Sequence, residues 1–242
     1  MSETHEFALY YENLKAARSG DTITLVDTPL IGRILNVLRL RVDDTVILFD
    51  HECHIKTYIE LLEKKKIVCK ILSTAQNKPL DPKISIALPI LKRDAFEQAI
   101  YNITELGGTE IQLLETKKTQ RKWGGDKEFE RLKRISVAAA EQSKNFCMPP
   151  IHEPISLEQL LQQQDGTVVF CDMIGSPISD LFDRQSIKQT DKLTIIIGPE
   201  GDFTPEEKEL LKADGIQSYK LTPTVLRAVQ AISIALGYLR CL

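Results

Sequence analysis

Hydrophobic and polar positions divide the chain into two parts that differ in periodicity. In the first part, a short helical segment at residues 31–38 interrupts a series of β-like runs, at residues 22–26, 45–49, 57–62 and 67–72. Many short strands with polar turns predict a small β-barrel over residues 1–76. Residues 77–83 hold two prolines and no apolar periodicity, so we interpret them as a linker.

From residue 84 to residue 242, runs of strand length alternate with segments of helical periodicity. Strands are predicted at residues 84–89, 111–114, 167–172, 193–197 and 218–221. Helices are predicted at residues 94–106, 128–145, 156–164, 204–215 and 224–241. Capping boxes beginning at Ser156 and Thr204 mark two of the helix starts. The alternation predicts an α/β domain built on a parallel sheet.

The strand predicted at residues 193–197 ends in the turn Gly198-Pro199-Glu200-Gly201. Its side chains show no polar alternation, as expected for the centre of a parallel sheet covered on both faces. Ligands of α/β proteins bind at the carboxyl ends of such strands, and glycine lets the backbone approach them closely. A tight turn without a ligand would also use glycine and proline, so both interpretations stay open.

A second candidate site lies at residues 222–227, where the last predicted helix begins. The first N–H groups of a helix are unpaired and can cap a ligand. Arg227 would lie one turn into this helix, where it could pair with a surface carboxylate or reach into a site. The helix has a broad apolar face that could be buried within the monomer or against a partner, formed by Val225, Val229, Ile232, Leu236 and Leu239.

Composition places the chain among ordinary globular proteins. It has 242 residues, of which 43% are hydrophobic and 27% are charged. No apolar window approaches the length of a membrane span, and the N-terminus lacks the pattern of a signal peptide. The five cysteines are widely spaced and form no Cys-x-x-Cys pair, so we expect a reduced, cytoplasmic protein.

Charge is unevenly distributed although the net charge is only −3. Residues 117–134, here called the basic segment, carry eight basic and three acidic side chains around Trp123. Such a segment could bind nucleic-acid phosphates, and the tryptophan could stack on a base. A charge run is more often only a solvated surface, and that alternative stays open.

Other common site patterns receive little support. His51, Cys53 and His54 form a tight cluster, but four metal ligands are not evident, so a surface turn is the more common explanation. The sequence lacks the Gly-x-Gly-x-x-Gly fingerprint, the Walker phosphate loop and the Gly-x-Ser-x-Gly elbow. It therefore gives no indication of a dinucleotide enzyme, a Walker-type nucleotide hydrolase or an α/β-hydrolase.

Five segments together resemble the ribosomal RNA small subunit methyltransferase E family, a branch of the SPOUT methyltransferases. They span nearly the whole chain, at residues 31–50, 103–123, 138–151, 195–207 and 221–239. The resemblance implies a PUA-like N-terminal β-barrel and a trefoil-knotted C-terminal α/β domain at residues 84–242, working as a homodimer. The implied chemistry is methyl transfer from S-adenosyl-L-methionine to N3 of a uridine in 16S ribosomal RNA. The small ribosomal subunit is the implied partner, without a membrane or a metal.

The same resemblance implies roles for individual residues. The methyl donor would contact two loops, at Ile197, Gly198, Pro199, Glu200, Gly201, Leu221, Thr222, Pro223 and Leu226. Arg227 matches the family's Leu-Arg pair and would be the catalytic cation. RNA would be bound by Arg33, Arg39, Lys117, Lys118, Arg121, Lys122 and Trp123.

The chain departs from the family's pattern at several of these places. Asp202 and Thr222 stand where the family has glycines, Val229 replaces an acidic residue, Gln230 a threonine and Asn145 an arginine. The new side chains could obstruct the donor, and the lost polar groups could weaken its binding. The alternative prediction is therefore a degenerate relative that binds RNA or ribosomes without catalysis.

Overall fold

A computed structural model describes residues 6–163, 165–183 and 192–241. The chain divides into two compact units, Met1–Lys78 and Pro79–Leu242. No helix among the described residues combines the length and apolar character needed to cross a membrane.

The N-terminal unit is built on one six-stranded sheet. In chain order its strands are β1 (Phe7–Tyr10), β2 (Arg18–Ser19), β3 (Thr22–Leu25), β4 (Thr45–Phe49), β5 (Cys53–Leu62) and β6 (Ile67–Gln76). The sheet order is β1-β4-β5-β6-β3-β2, with β1 and β4 parallel and the other pairs antiparallel. Alternate residues of these strands form a buried core that includes Leu9, Ile23, Leu48 and Ile59.

The sheet differs from the closed barrel that the sequence predicts for this unit. Among the described strands, the hydrogen-bonded order ends at β1 on one side and at β2 on the other. Because β2 is only Arg18–Ser19, it offers few backbone groups for a further ladder. The unit is nevertheless built mainly from β-strands, of which β5 and β6 have ten residues each and the other four have two to five.

The helical segment predicted in this unit consists of two successive pieces. Helix α1 (Leu14–Ala17) precedes it; α2 (Thr28–Gly32) then continues directly into a π-helical turn, Arg33–Leu38. The carboxylate of Asp27 begins α2 by accepting a hydrogen bond from the backbone N–H of Leu30 at 2.7 Å.

The C-terminal unit contains a second six-stranded sheet in which all pairs are parallel. Its strands are β7 (Ile84–Pro89), β8 (Glu110–Glu115), β9 (Ile151–Ser156), β10 (Thr167–Pro177), β11 (Leu193–Ile197) and β12 (Ser218–Lys220). The sheet order is β12-β10-β11-β7-β8-β9. All five residues of β11 are buried, which confirms the predicted central strand of a parallel sheet.

Helices cover both faces of this sheet. They are α3 (Arg93–Glu105), α4 (Asp126–Ser143), α5 (Leu157–Gln162), α6 (Asp180–Asp183), α7 (Pro205–Ala213) and α8 (Ala228–Arg240). Ile195 and Ile197 of β11 belong to the core that includes α3, α4 and α8. Ile196 faces the opposite core, which includes α5 and α7. The alternation of side chains along one strand thus divides the interior into two layers.

The predicted start of the last helix was wrong, and strand β9 was not predicted. The last helix begins at Ala228 instead of residue 224, because the hydroxyl of Thr222 donates to the carbonyl of Thr224 at 2.8 Å and stabilises a local turn. Arg227 is therefore the N-cap residue and does not lie one turn into the helix. Strand β9 escaped prediction because it contains Pro154, which only an edge strand tolerates readily.

Both predicted capping boxes are present, and the one at α7 gives a stability test. The Thr204 hydroxyl accepts from the Glu207 N–H at 3.2 Å, and the Glu207 carboxylate accepts from the Thr204 N–H at 2.8 Å. Thr204→Ala should lower the free energy of unfolding by about 1 kcal/mol, since one capping bond is lost. That loss corresponds to a fall in Tm of roughly 3 °C in a thermal melt. Thr204→Ser keeps the hydroxyl, so its Tm should stay near that of the wild type. A Tm of Thr204→Ala equal to that of the wild type would contradict the capping role of Thr204.

Candidate functional site

A cavity of about 1110 Å³ lies in the C-terminal unit at the carboxyl ends of its parallel strands. Its walls come from the start of α3, the middle of β10, the loop after β11, Lys208 of α7, and the loop that joins β12 to α8 together with the first turn of α8. This is the edge at which open α/β sheets bind ligands. The cavity is large enough for a nucleoside-sized ligand.

The loop after β11 closes a tight turn at the cavity wall. The N–H of Asp202 donates to the carbonyl of Pro199 at 2.9 Å. Asp202 itself has a φ of 58°, in the left-handed region that glycine adopts without strain and that aspartate tolerates better than most residues. The resemblance expects glycine here, and the backbone conformation gives the physical reason for it.

Side chains from two other segments hold this turn in place. The Glu200 carboxylate accepts a hydrogen bond from the backbone N–H of Lys92, just before α3, at 2.9 Å. The ammonium of Lys118 donates to the carbonyls of Gly201 and Phe203, at 3.0 and 3.2 Å. The turn is therefore fixed by contacts from segments far away in sequence.

The loop at residues 221–227 supplies the facing wall. Leu221 and Leu226 are partly buried, whereas the Val225 side chain is 81% exposed. The cavity also reaches Ala228, Val229 and the exposed Gln230, in the first turn of α8. The side chain of the N-cap residue Arg227 makes no capping hydrogen bond, so the first N–H groups of this turn lie at the cavity wall without that partner.

Arg227 lies at the junction of this loop and α8. It is exposed and lines the cavity. Within the described ranges, no carboxylate forms an ion pair with its guanidinium. Since the N-terminal end of a helix carries partial positive charge, a cation at the N-cap gives α8 no electrostatic stabilisation. Arg227 and the helix end together make this part of the cavity attractive to an anion.

Three charged residues form a compact network on another part of the wall. The ammonium of Lys208, on α7, lies 2.8 Å from the Asp172 carboxylate and 2.7 Å from that of Asp202. Burial opposes protonation of Lys208, but the two carboxylates outweigh burial and raise its pKa.

The floor of the cavity is apolar. Ile197 and Tyr219 are buried there, and Cys171 lies beside them as the last residue of β10 that pairs with β11. Burial raises the pKa of the Cys171 thiol to about 12, so the thiol stays protonated at neutral pH.

The structure brings together most of the residues that the sequence assigned to this site. Eight of them line the cavity: Ile197, Gly198, Pro199, Glu200, Leu221, Thr222, Leu226 and Arg227. Gly201 and Pro223 belong to the same two loops but are not among the lining residues. The departures at Asp202, Thr222, Val229 and Gln230 also lie at the cavity wall.

Sequence reasoning missed several lining residues. Lys92, Arg93, Asp94 and Gln98 come from the start of α3, and Asp172 and Lys208 come from β10 and α7. The first group directly follows the apolar strand β7, and ligands of α/β proteins bind at the carboxyl ends of such strands, so the sequence pattern could have predicted it. No local pattern identifies Lys208, because its partner Asp172 is distant in sequence and its partner Asp202 lies in an irregular loop.

The basic segment proves largely structural. The Arg121 guanidinium forms two hydrogen bonds with the Glu128 carboxylate, at 2.9 and 2.6 Å, and lies over the Phe96 ring. The Trp123 indole donates to Glu153 at 2.9 Å, and its ring packs against the core. Of the predicted RNA contacts in this segment, Lys117, Lys118 and Lys122 are exposed.

The remaining predicted positions lie elsewhere. Arg33 and Arg39 are both exposed, in the π-helical turn of the N-terminal unit and directly after it. Asn145 donates from its side-chain amide to the carbonyl of Thr104 at 2.8 Å, which joins the ends of α4 and α3. In the described part of the chain, no group of three or more potential ligands could hold a metal, and the side chain of His54 instead bonds Asn77.

Comparison with known proteins identifies the relatives of this chain. The RNA methyltransferase domain family matches residues 77–240. A ribosomal RNA small subunit methyltransferase E from Synechocystis is 31% identical over 227 residues, covering 91% of this chain and 73% of the relative. A protein of the same name from Bacillus subtilis is 30% identical and covers 86% of this chain and 85% of the relative.

A solved structure shares the fold over almost the whole length. It is a ribosomal RNA small subunit methyltransferase E from Neisseria gonorrhoeae, bound to S-adenosyl methionine. The TM-score is 0.83 at 24% identity, and the match covers 98% of each chain. This likeness establishes the shared α/β fold.

The partly buried Cys171 thiol at the cavity floor gives a test of the site's geometry. Because its pKa is raised to about 12, Cys171 should be alkylated by iodoacetamide at least about tenfold more slowly than the exposed Cys241 at mildly alkaline pH. Peptide mass spectrometry over a labelling time course measures both rates. A Cys241→Ser variant verifies the assignment, and comparable rates at the two thiols would contradict the closed apolar floor.

Proposed function

This chain belongs to the ribosomal RNA small subunit methyltransferase E family, and on that premise we propose that it transfers a methyl group from S-adenosyl-L-methionine to N3 of a uridine in 16S ribosomal RNA. The observation that carries the proposal is the meeting of two distant loops, at residues 197–202 and 221–227, around one cavity. These are the loops to which the sequence analysis assigned the methyl donor.

The residues of the cavity fit such a donor chemically. Ile197, Leu221 and Leu226 offer apolar surface to the faces of an adenine ring. The irregular loops offer peptide groups that can pair with the adenine edge and the ribose. Asp202 fits this arrangement because its backbone adopts the conformation that a glycine would have, and because its carboxylate is paired with Lys208.

The donor supplies an electrophilic methyl group, so the protein must position the uridine and favour loss of its N3 proton. Loss of that proton spreads negative charge over the neighbouring uracil oxygens. The Arg227 guanidinium and the N–H groups of the first turn of α8 would stabilise this charge. Arg227 is therefore the proposed catalytic residue.

The remaining parts of the proposal concern RNA and assembly. We assign RNA phosphate contacts to Arg33 and Arg39 of a PUA-like N-terminal unit, and to Lys117, Lys118 and Lys122 of the basic segment. Arg121 and Trp123 would act indirectly, since their hydrogen bonds shape that segment. A trefoil knot in the C-terminal unit and a homodimer complete the proposal, and both rest on the family resemblance. A cytoplasmic location is also proposed, and it rests on the wide spacing of the five cysteines.

Titration with the methyl donor separates an active enzyme from a degenerate RNA-binding relative. We expect isothermal titration calorimetry to give a Kd for S-adenosyl-L-methionine in the micromolar range, about −8 kcal/mol. Deletion of the gene should also remove one N3-methylated uridine from 16S RNA, measured by nucleoside mass spectrometry. A protein that shows neither result would be the degenerate relative.

Substitution of Arg227 tests the proposed chemistry. Arg227→Ala should lower kcat for methyl transfer to small ribosomal subunits by about 100-fold, since one stabilising donor to the developing charge is removed. The Kd of the methyl donor should stay within about threefold of wild type, because Arg227 acts on the uridine. Arg227→Lys keeps the charge and should retain part of the rate. An alanine variant with full kcat would remove Arg227 from the mechanism.

A further inference from the structure

Lys208 connects two carboxylates that belong to different segments of the cavity wall. Asp172 lies in β10, Asp202 lies in the loop after β11, and Lys208 projects from the first half of α7. The Lys208 and Asp172 side chains are 23% and 12% exposed, whereas that of Asp202 is 60% exposed. One cation thus joins a strand of the sheet to an exposed loop, in addition to the contacts that Glu200 and Lys118 make in that loop.

The Asp202 carboxylate has a second partner, inside its own loop. Its Oδ1 atom accepts from the Phe203 N–H at 2.7 Å, while its Oδ2 atom binds Lys208. Oδ1 also lies within 3.5 Å of the point where a side chain on Gly198 would begin. The position of this carboxylate therefore fixes the turn from Gly198 to Phe203.

We propose that Lys208 is a positioning residue that, by pairing with Asp172 and Asp202 at once, holds the loop after β11 in the shape that receives the methyl donor. The inference rests on the proposed function, because it names a further residue of the same site. Asp202 stands where the family has a glycine, which has no side chain to hold. In this chain the charged contact of Asp172, Lys208 and Asp202, here called the clamp, restrains that position of the loop.

The charge balance explains why the cation is needed. Without Lys208, the Asp172 and Asp202 carboxylates would lose the ammonium that both of them contact, at 2.8 and 2.7 Å, and the two like charges would repel each other. Asp172 is mostly buried in β10, so the exposed Asp202 would move and take the turn with it. The structure contains a matched control, since Lys212 lies one turn further along α7 and pairs with Glu209 at the surface.

Donor binding in variants of the full-length protein forms the first part of the test. Lys208→Met should raise the calorimetric Kd for S-adenosyl-L-methionine roughly tenfold, whereas Lys208→Arg should restore it to within about threefold. Lys212→Met should leave it unchanged, because exposed pairs contribute little. In turnover assays, Lys208→Met should raise the KM for the donor, whereas its kcat should stay within about twofold of the wild-type value. A generally unstable protein would instead show a lower kcat.

A double-variant cycle tests the coupling itself. Asp202→Asn keeps the hydrogen-bond acceptor for Phe203 but removes the charge. Adding Lys208→Met to Asp202→Asn should change the Kd less than half as much as it does in the wild type, since the two residues act through one contact. Equal effects in both backgrounds would overturn the clamp.

Hydrogen exchange without any donor separates this inference from the proposed function. The backbone amides of residues 200–204 should exchange at least about threefold faster in Lys208→Met than in Lys208→Arg or Lys212→Met. If the wild-type protein binds no donor, the proposed function fails, yet the exchange result still decides whether Lys208 holds the loop. Unchanged exchange in Lys208→Met would overturn the inference even if the donor binds.

Discussion

The structure depends on the burial of β11 on both faces. All five of its residues are buried, and its four apolar side chains divide between two separate cores, so the strand can neither shift nor tilt without exposing apolar surface on one side. At Ile197 the ladder stops, and the chain leaves the sheet through Gly198 and Pro199. A rigid strand therefore delivers an irregular loop to a fixed point, which is what a site built from backbone groups requires.

Rigidity at that point comes from polar contacts that reach across the sheet edge. The buried carboxylate of Glu207 caps α7 and also accepts from the Lys117 N–H at 2.9 Å, so it joins α7 to the segment after β8. Lys118 then bonds the carbonyls of the loop after β11. The Lys118 side chain therefore contributes to the shape of the cavity wall.

Features encoded by neighbouring residues could be predicted from the sequence. The central strand, both capping boxes and the two cavity loops follow from local apolar patterns, glycine and proline positions and strand ends. The errors lie where contacts other than the local apolar pattern decide the structure. Helix α8 begins at Ala228, later than predicted, because the hydrogen bond from Thr222 to Thr224 stabilises a turn before it. Strand β9 contains Pro154, which is compatible with its place at the edge of the sheet. Lys208 was missed because its role depends on two partners that only the folded chain brings together.

The left-handed backbone at position 202 also limits how this site can change during evolution. A φ of 58° admits glycine readily, asparagine and aspartate at small cost, and β-branched residues hardly at all. Aspartate is one of the few side chains that could enter there, but it brought a charge that the backbone alone does not balance. Lys208 supplies that balance, so a substitution at either position changes the charge that surrounds the other. Glycine at position 202 would fit the backbone but would leave Lys208 with Asp172 as its one carboxylate partner among the described residues.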